Sequence, residues 1–141
     1  MMPYYTSKRI VLIDYQRYWR EISTKALRSS GFVVNTLDSY NYLPKEKCLQ
    51  EEHPDLVVLG CSGIRHEEQK LIDDILAHNH HLLVLCTSLS WQTMRNLFLQ
   101  GVDDIVDKPY NPANLVEIVI QALEHTPRSK MYQAAERHGA A

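Results

Sequence analysis

The sequence predicts an α/β protein in which a parallel five-stranded sheet is doubly wound between two layers of helices. Three observations lead there. Apolar runs of strand length alternate with segments of helical period five times along the chain. Most of those runs lack polar alternation, as strands covered on both faces should. Glycines and an Asn-Pro pair fall where helices should end or begin. A parallel sheet with right-handed crossovers must place helices on both of its faces.

The elements follow in order. Ile10 to Ile13 reads as the first strand, and Tyr18, Trp19, Ile22 and Ala26 form one face of a helix that Gly31 closes in a left-handed cap. Phe32 to Thr36 is the second strand. A second helix near Lys45 to Glu52 carries the weakest pattern. Leu56 to Leu59 is the third strand, followed by a helix facing inward through Leu71, Ile72, Ile75 and Leu76. Leu82 to Cys86 is the fourth strand, and Trp91, Met94, Leu97 and Phe98 line a helix that ends at Gly101. Asp104 to Val106 is the fifth strand. Asn111 then Pro112 has the form of an N-cap followed by the first helical residue, opening a last helix rich in Leu, Val and Ile.

Composition narrows the function. The chain has 141 residues, 45% hydrophobic and 23% charged, which describes one ordinary domain able to bury a full core. Fifteen Lys and Arg against 17 Asp and Glu leave a formal charge of −2, with no basic stripe for nucleic acid. Cys48, Cys61 and Cys86 are odd in number and lack CxxC spacing, so they read as buried thiols of a reducing compartment. No run approaches a membrane span and the first nine residues have no apolar signal core, so a cytoplasmic location is expected.

In such a fold the functional residues belong in loops at the carboxyl ends of the strands. Those residues are Asp14, Tyr15 and Gln16; Gly60, Cys61 and Ser62; Thr87 and Ser88; and Asp107, Lys108 and Pro109. The runs KRIVLID, HPDLVVLG, HLLVLCTS and QGVDDIVDKPYNP, in this order and spacing, resemble the receiver domain of bacterial two-component response regulators. The resemblance covers about residues 8–125 and is most specific in GVDDIVDKPYNP. It implies a flavodoxin-like (βα)5 sandwich with strand order 2-1-3-4-5. Residues 126–141 are then a tail: a helical extension, the start of a linker, or disordered.

The resemblance also implies a phosphorylation site built from an acidic pair, an aspartate phosphoacceptor, a hydroxyl and a lysine. Asp14 matches the first acid, Thr87 the hydroxyl and Lys108 the lysine. Tyr15 stands where the second acid belongs, and Gly60 stands in place of the phosphoacceptor. The aromatic that members often carry three residues before the lysine is Ile105. Phosphoryl transfer needs a carboxylate nucleophile and a magnesium ion, and glycine has no side chain to phosphorylate. Magnesium wants several carboxylate oxygens, of which Asp14 alone remains. Asp14 and Lys108 sum to zero charge, so they are expected to pair directly without metal or other cofactor. Asp55 and Asp107 lie off the required position, and in-line attack tolerates little misplacement.

Other features carry two readings each. Cys61, taken to lie at an exposed strand end, is either a redox-sensing thiol or, as preferred, a small loop residue. His78, His80 and His81 read as a solvated helix end in preference to a metal site. Tyr15 is expected to fill the vacated acidic pocket with its ring. The last helix is apolar over a wider arc than one sheet face needs, chiefly through Val116 and Ile120. With Leu99 they form an expected interaction face, and the resemblance points the same way, since receivers often dock or dimerise through the fourth helix, fifth strand and fifth helix.

The expected function is therefore a phosphorylation-independent receiver, a non-enzymatic signalling module that binds protein partners and forms a homodimer through its last helix. Two alternatives stay open. One is a receiver excised from a longer regulator with a DNA-binding or enzymatic output domain. The other is a small-ligand or redox sensor using the strand-end crevice, although DYQRYW after the first strand offers no phosphate cradle.

Overall fold

A computed structural model describes residues 7–38, 49 and 53–124. The expected second helix (apart from Leu49), Cys48 and the tail 126–141 lie outside the described residues. The elements are β1 (Arg9–Asp14), α1 (Arg17–Ser29), β2 (Val33–Leu37), β3 (Leu56–Cys61), α2 (His66–Ala77), β4 (Leu82–Cys86), α3 (Trp91–Gln100), β5 (Asp104–Asp107) and α4 (Pro112–Glu124). All pairings are parallel and the order is β2-β1-β3-β4-β5, as the sequence predicts.

Side chains alternate across the pleat, which divides the core in two. Val11, Ile13, Val57, Leu59, Leu82 and Val84 point to the side covered by α2 and α3, where Ile72, Ile75 and Leu97 meet them. Leu49 is buried in the same layer. Ile10, Leu12, Val58, Leu83 and Leu85 face α1 and α4 through Leu27, Leu115 and Val119. Both faces of β3 and β4 are thus covered, which is why these strands are apolar throughout.

Local chemistry sets the helix ends. Ser90 Oγ accepts from Thr93 N at 3.1 Å to start α3, and Asn111 Oδ1 accepts from Ala113 N at 2.9 Å to start α4. Gly101 closes α3 at φ 113°, a left-handed conformation that costs glycine little. The Ser90 and Asn111 caps hold the loops at the carboxyl edge of the sheet, and Gly101 turns the chain at the opposite edge. No helix among the described residues is long and apolar enough to cross a membrane.

Candidate functional site

Because every strand runs the same way, the carboxyl ends of β1, β3, β4 and β5 meet along one edge of the sheet. Asp14 ends β1 and lies in register with Gly60 of β3. Lys108 follows β5 directly, is anchored by its backbone N–H to Cys86 O at 3.0 Å, and precedes a cis peptide to Pro109. Its ammonium reaches back across the edge to donate to Asp14 Oδ2 at 3.0 Å, with both side chains almost wholly buried.

The pair is well satisfied. Asp14 Oδ1 accepts from Gln16 N at 2.9 Å, and Lys108 Nζ also donates to Gln16 Oε1 at 2.7 Å. The ammonium stands 5.8 Å from the centre of the Trp19 ring, within cation–π range. Arg20 Nη1 donates to the carbonyl oxygens of Asp14 at 2.9 Å and Tyr15 at 3.5 Å, tying the turn after β1 to α1. A buried ion pair is tolerated only when its remaining donors and acceptors find partners, and here they do. The expected direct pairing of Asp14 with Lys108 is what the geometry contains.

Gly60 is part of this arrangement. A Cβ built on it would overlap Asp14 Oδ2, standing 2.5 Å from Cγ and 3.0 Å from Cβ of the same residue. The Asp14 carboxylate thus occupies the space into which any side chain at position 60 would project. The lack of a side chain at position 60 and the closure of the Asp14–Lys108 pair are one structural fact.

The donor set does not suit an octahedral magnesium ion. Such an ion takes several carboxylate oxygens, whereas Asp14 faces the Lys108 ammonium at 3.0 Å and no group of three or more His, Cys, Asp or Glu side chains that could hold a metal occurs among the described residues. Position 15 supplies a phenol in place of a second carboxylate.

Two expectations need correction. Tyr15 does not fill the vacated pocket: it is 45% exposed, and its hydroxyl pairs with Ser62 Oγ at 2.7 Å across the top of the site. The space is already taken by the Asp14 carboxylate and the Lys108 ammonium. Cys61 is not at an exposed strand end, because β3 runs through it and turns its thiol inward, fully buried beside Cys86 of β4. A hydrogen bond with Cys86, then burial, pushes the Cys61 thiol well above its ordinary range, while the same bond lowers Cys86. Cys61 has the opposite of a reactive thiol's environment.

Thr87 is exposed beyond β4 and makes no side-chain hydrogen bond to Asp14 or Lys108. Ile105 is buried among the residues facing α2 and α3. His78 caps α2, its Nδ1 2.7 Å from Asp74 O, and His81 lies 3.4 Å from Asp103 Oδ2. Leu99 is 62% exposed, whereas Val116 and Ile120 are half-buried and pack partly on the core beneath α4. Leu99 and this pair lie on helices at opposite faces of the sheet, flanking the edge strand β5.

Sequence reasoning did not single out Trp19, Arg20 or Tyr110 as site residues, and it placed Gln16 at the end of the first strand without giving it a role. Trp19 stacks on Tyr110 with ring centres 4.6 Å apart, and the Tyr110 hydroxyl bonds Ser23 Oγ, so α1 and the loop after β5 are clasped around Lys108. Burial outweighs that bond and, with the nearby Asp14 charge, pushes Tyr110 up to about 12.

Comparison with solved structures returns one architecture. A response regulator from Thermotoga maritima superposes with a TM-score of 0.74 at 22% identity, over 84% of this chain and 99% of its own. An orphan response regulator of H. pylori gives 0.73 at 23%, over 84% and 98%. The signal receiver domain of a putative LuxO repressor protein from Vibrio parahaemolyticus gives 0.74 at 16%, over 92% and 98%. The fold is therefore that of the response-regulator receiver domain. No family model matches the sequence, and no curated protein matches it.

Proposed function

We propose that this chain is a degenerate receiver that works without phosphorylation, as a regulatory module whose output is binding to other proteins. The observation that carries the reading is Gly60 at the phosphoacceptor position, with the Asp14 carboxylate in its place and neutralised by Lys108. A receiver of this kind has no nucleophile to phosphorylate and no catalysis of its own; its response is set by partner concentration.

The face flanking β5 is the proposed contact surface, through Leu99, Val116 and Ile120, with a second copy of the chain as its first partner. Leu99 supports this most directly, being a large apolar side chain left mostly in water.

Native mass spectrometry after incubation with acetyl phosphate and magnesium tests both parts. The expected result is a dimer at twice the unmodified mass, converted to monomer by Leu99→Glu. A phosphoryl adduct would overturn the phosphorylation-independent reading. A monomer at micromolar concentration would overturn self-association.

A further inference from the structure

Away from the strand-end site, α1 and the edge strand β2 border an open cleft of about 480 Å³ lined by Arg20, Glu21, Thr24, Lys25, Arg28, Ser29 and Thr36. Its volume falls within the range of small-molecule sites. Three cations face it against one carboxylate, in a chain whose overall charge is −2. The carboxylate, Glu21, is engaged with Arg17 Nε at 2.8 Å, whereas Lys25 has no ion pair or hydrogen bond among the described residues.

A second observation is independent of charge. Thr24 lines the cleft at 7% exposure, and its Oγ1 is buried without any hydrogen-bond partner. It is the one such side-chain atom among the described residues. A buried unpaired hydroxyl carries a desolvation cost, which a ligand oxygen would remove once the Thr24 side chain turns its hydroxyl toward the cleft.

The guanidinium groups are held in place while keeping donors to spare. Arg28 spends Nη2 on Val34 O at 2.8 Å, and Arg20 spends Nη1 on the carbonyls of Asp14 and Tyr15. Each guanidinium has five N–H groups, so most remain for a planar or tetrahedral oxyanion. Preorganised cations beside hydroxyls from Thr24, Ser29 and Thr36 match the chemistry of a phosphate group.

We infer that this cleft binds a phosphate-bearing small molecule, with Arg20, Lys25 and Arg28 meeting the charge and Thr24 supplying a hydroxyl. Through Arg20 such a ligand would bear on the turn that follows Asp14, giving the fold an input that bypasses position 60. The site stands apart from the docking reading above, since it shares no residue with the β5-flanking face.

Amide NMR of the full chain, titrated separately with AMP, inorganic phosphate and adenosine, tests it. The expected result is saturable shifts confined to residues 20–29 and Thr36 for the two anions and none for adenosine. Tighter binding of AMP would identify a phosphomonoester as the ligand, and equal binding the free ion. Lys25→Ala should weaken binding about tenfold, in line with loss of one charge-assisted contact. Thr24→Val, which removes the hydroxyl at nearly constant shape, should weaken binding while leaving the thermal midpoint equal or higher. Absence of saturation, shifts scattered over other basic residues, or unchanged affinity in Lys25→Ala would overturn the inference.

Discussion

Asp14 and Gly60 are mutually exclusive neighbours: the carboxylate of one fills the volume that a side chain on the other would require. The consequence is sharp because Gly63, three residues on, has nothing within 4 Å of an added Cβ. Gly60→Ala should therefore destabilise the fold by about 2 kcal/mol through overpacking, with Gly63→Ala nearly neutral. Urea unfolding of the two variants side by side reads the difference. Gly60→Asp, which places an acid near the end of β3, should gain no phosphoryl group from acetyl phosphate.

The Asp14–Lys108 pair predicts an asymmetric response to mutation. Asp14→Asn strands a buried ammonium and should cost about 3 kcal/mol. Combining it with Lys108→Met should cost less than the two single losses together, and a double-mutant cycle by chemical denaturation measures that coupling. Magnesium should leave the unfolding midpoint of the parent and of Asp14→Asn unchanged. Saturable stabilisation of the parent by millimolar magnesium would contradict the donor analysis.

Alkaline pH offers a probe of the aromatic clasp. Tyr110 titrates at about 12 in the folded protein, against about 10 when unfolded. Between these values the folded state holds the proton that the unfolded state has lost, so stability is whole below pH 10 and falls as pH rises toward 12. The loss should reach at most about 2–3 kcal/mol. Tyr110→Phe should abolish this part of the slope, which pH-dependent urea titrations monitored by circular dichroism would show.

At the opposite end of the sheet the sign reverses. Burial, followed by repulsion from His78, His81 and His53, lowers the His80 imidazole. A base held below its unfolded value stabilises the fold at neutral pH and loses that contribution as pH falls beneath about 6.5. His80→Asn should flatten the acid side of the stability profile below about pH 6.5, as thermal melts across that range would report. An unchanged profile would mean that the cluster is too well hydrated to repel.

The sheet was legible because its central strands are buried on both faces and so read as unbroken apolar runs. The Asp14–Lys108 pairing was legible for a chemical reason: one acid with one lysine sums to neutrality. The failures sit at Tyr15 and Cys61. A glycine at position 60 looks like the start of a loop, whereas β3 continues one residue past it and turns the Cys61 thiol into the core. Whether the phenol of Tyr15 or the carboxylate beside it takes the pocket depends on side-chain direction at the end of β1, which residue type alone does not encode. Arg20 and the partner of Gln16 were missed because both are set by the turn between β1 and α1.

The closed Asp14–Lys108–Gln16 arrangement also bears on how much information this end of the sheet can receive. An input can move a protein between states only by the difference in its affinity for them. One that needed Lys108 would first have to part a buried ion pair, at a cost of about 3–5 kcal/mol. That penalty removes about two to four orders of magnitude from its affinity. The strand-end edge thus behaves as a fixed resistor toward any ligand that must engage Lys108.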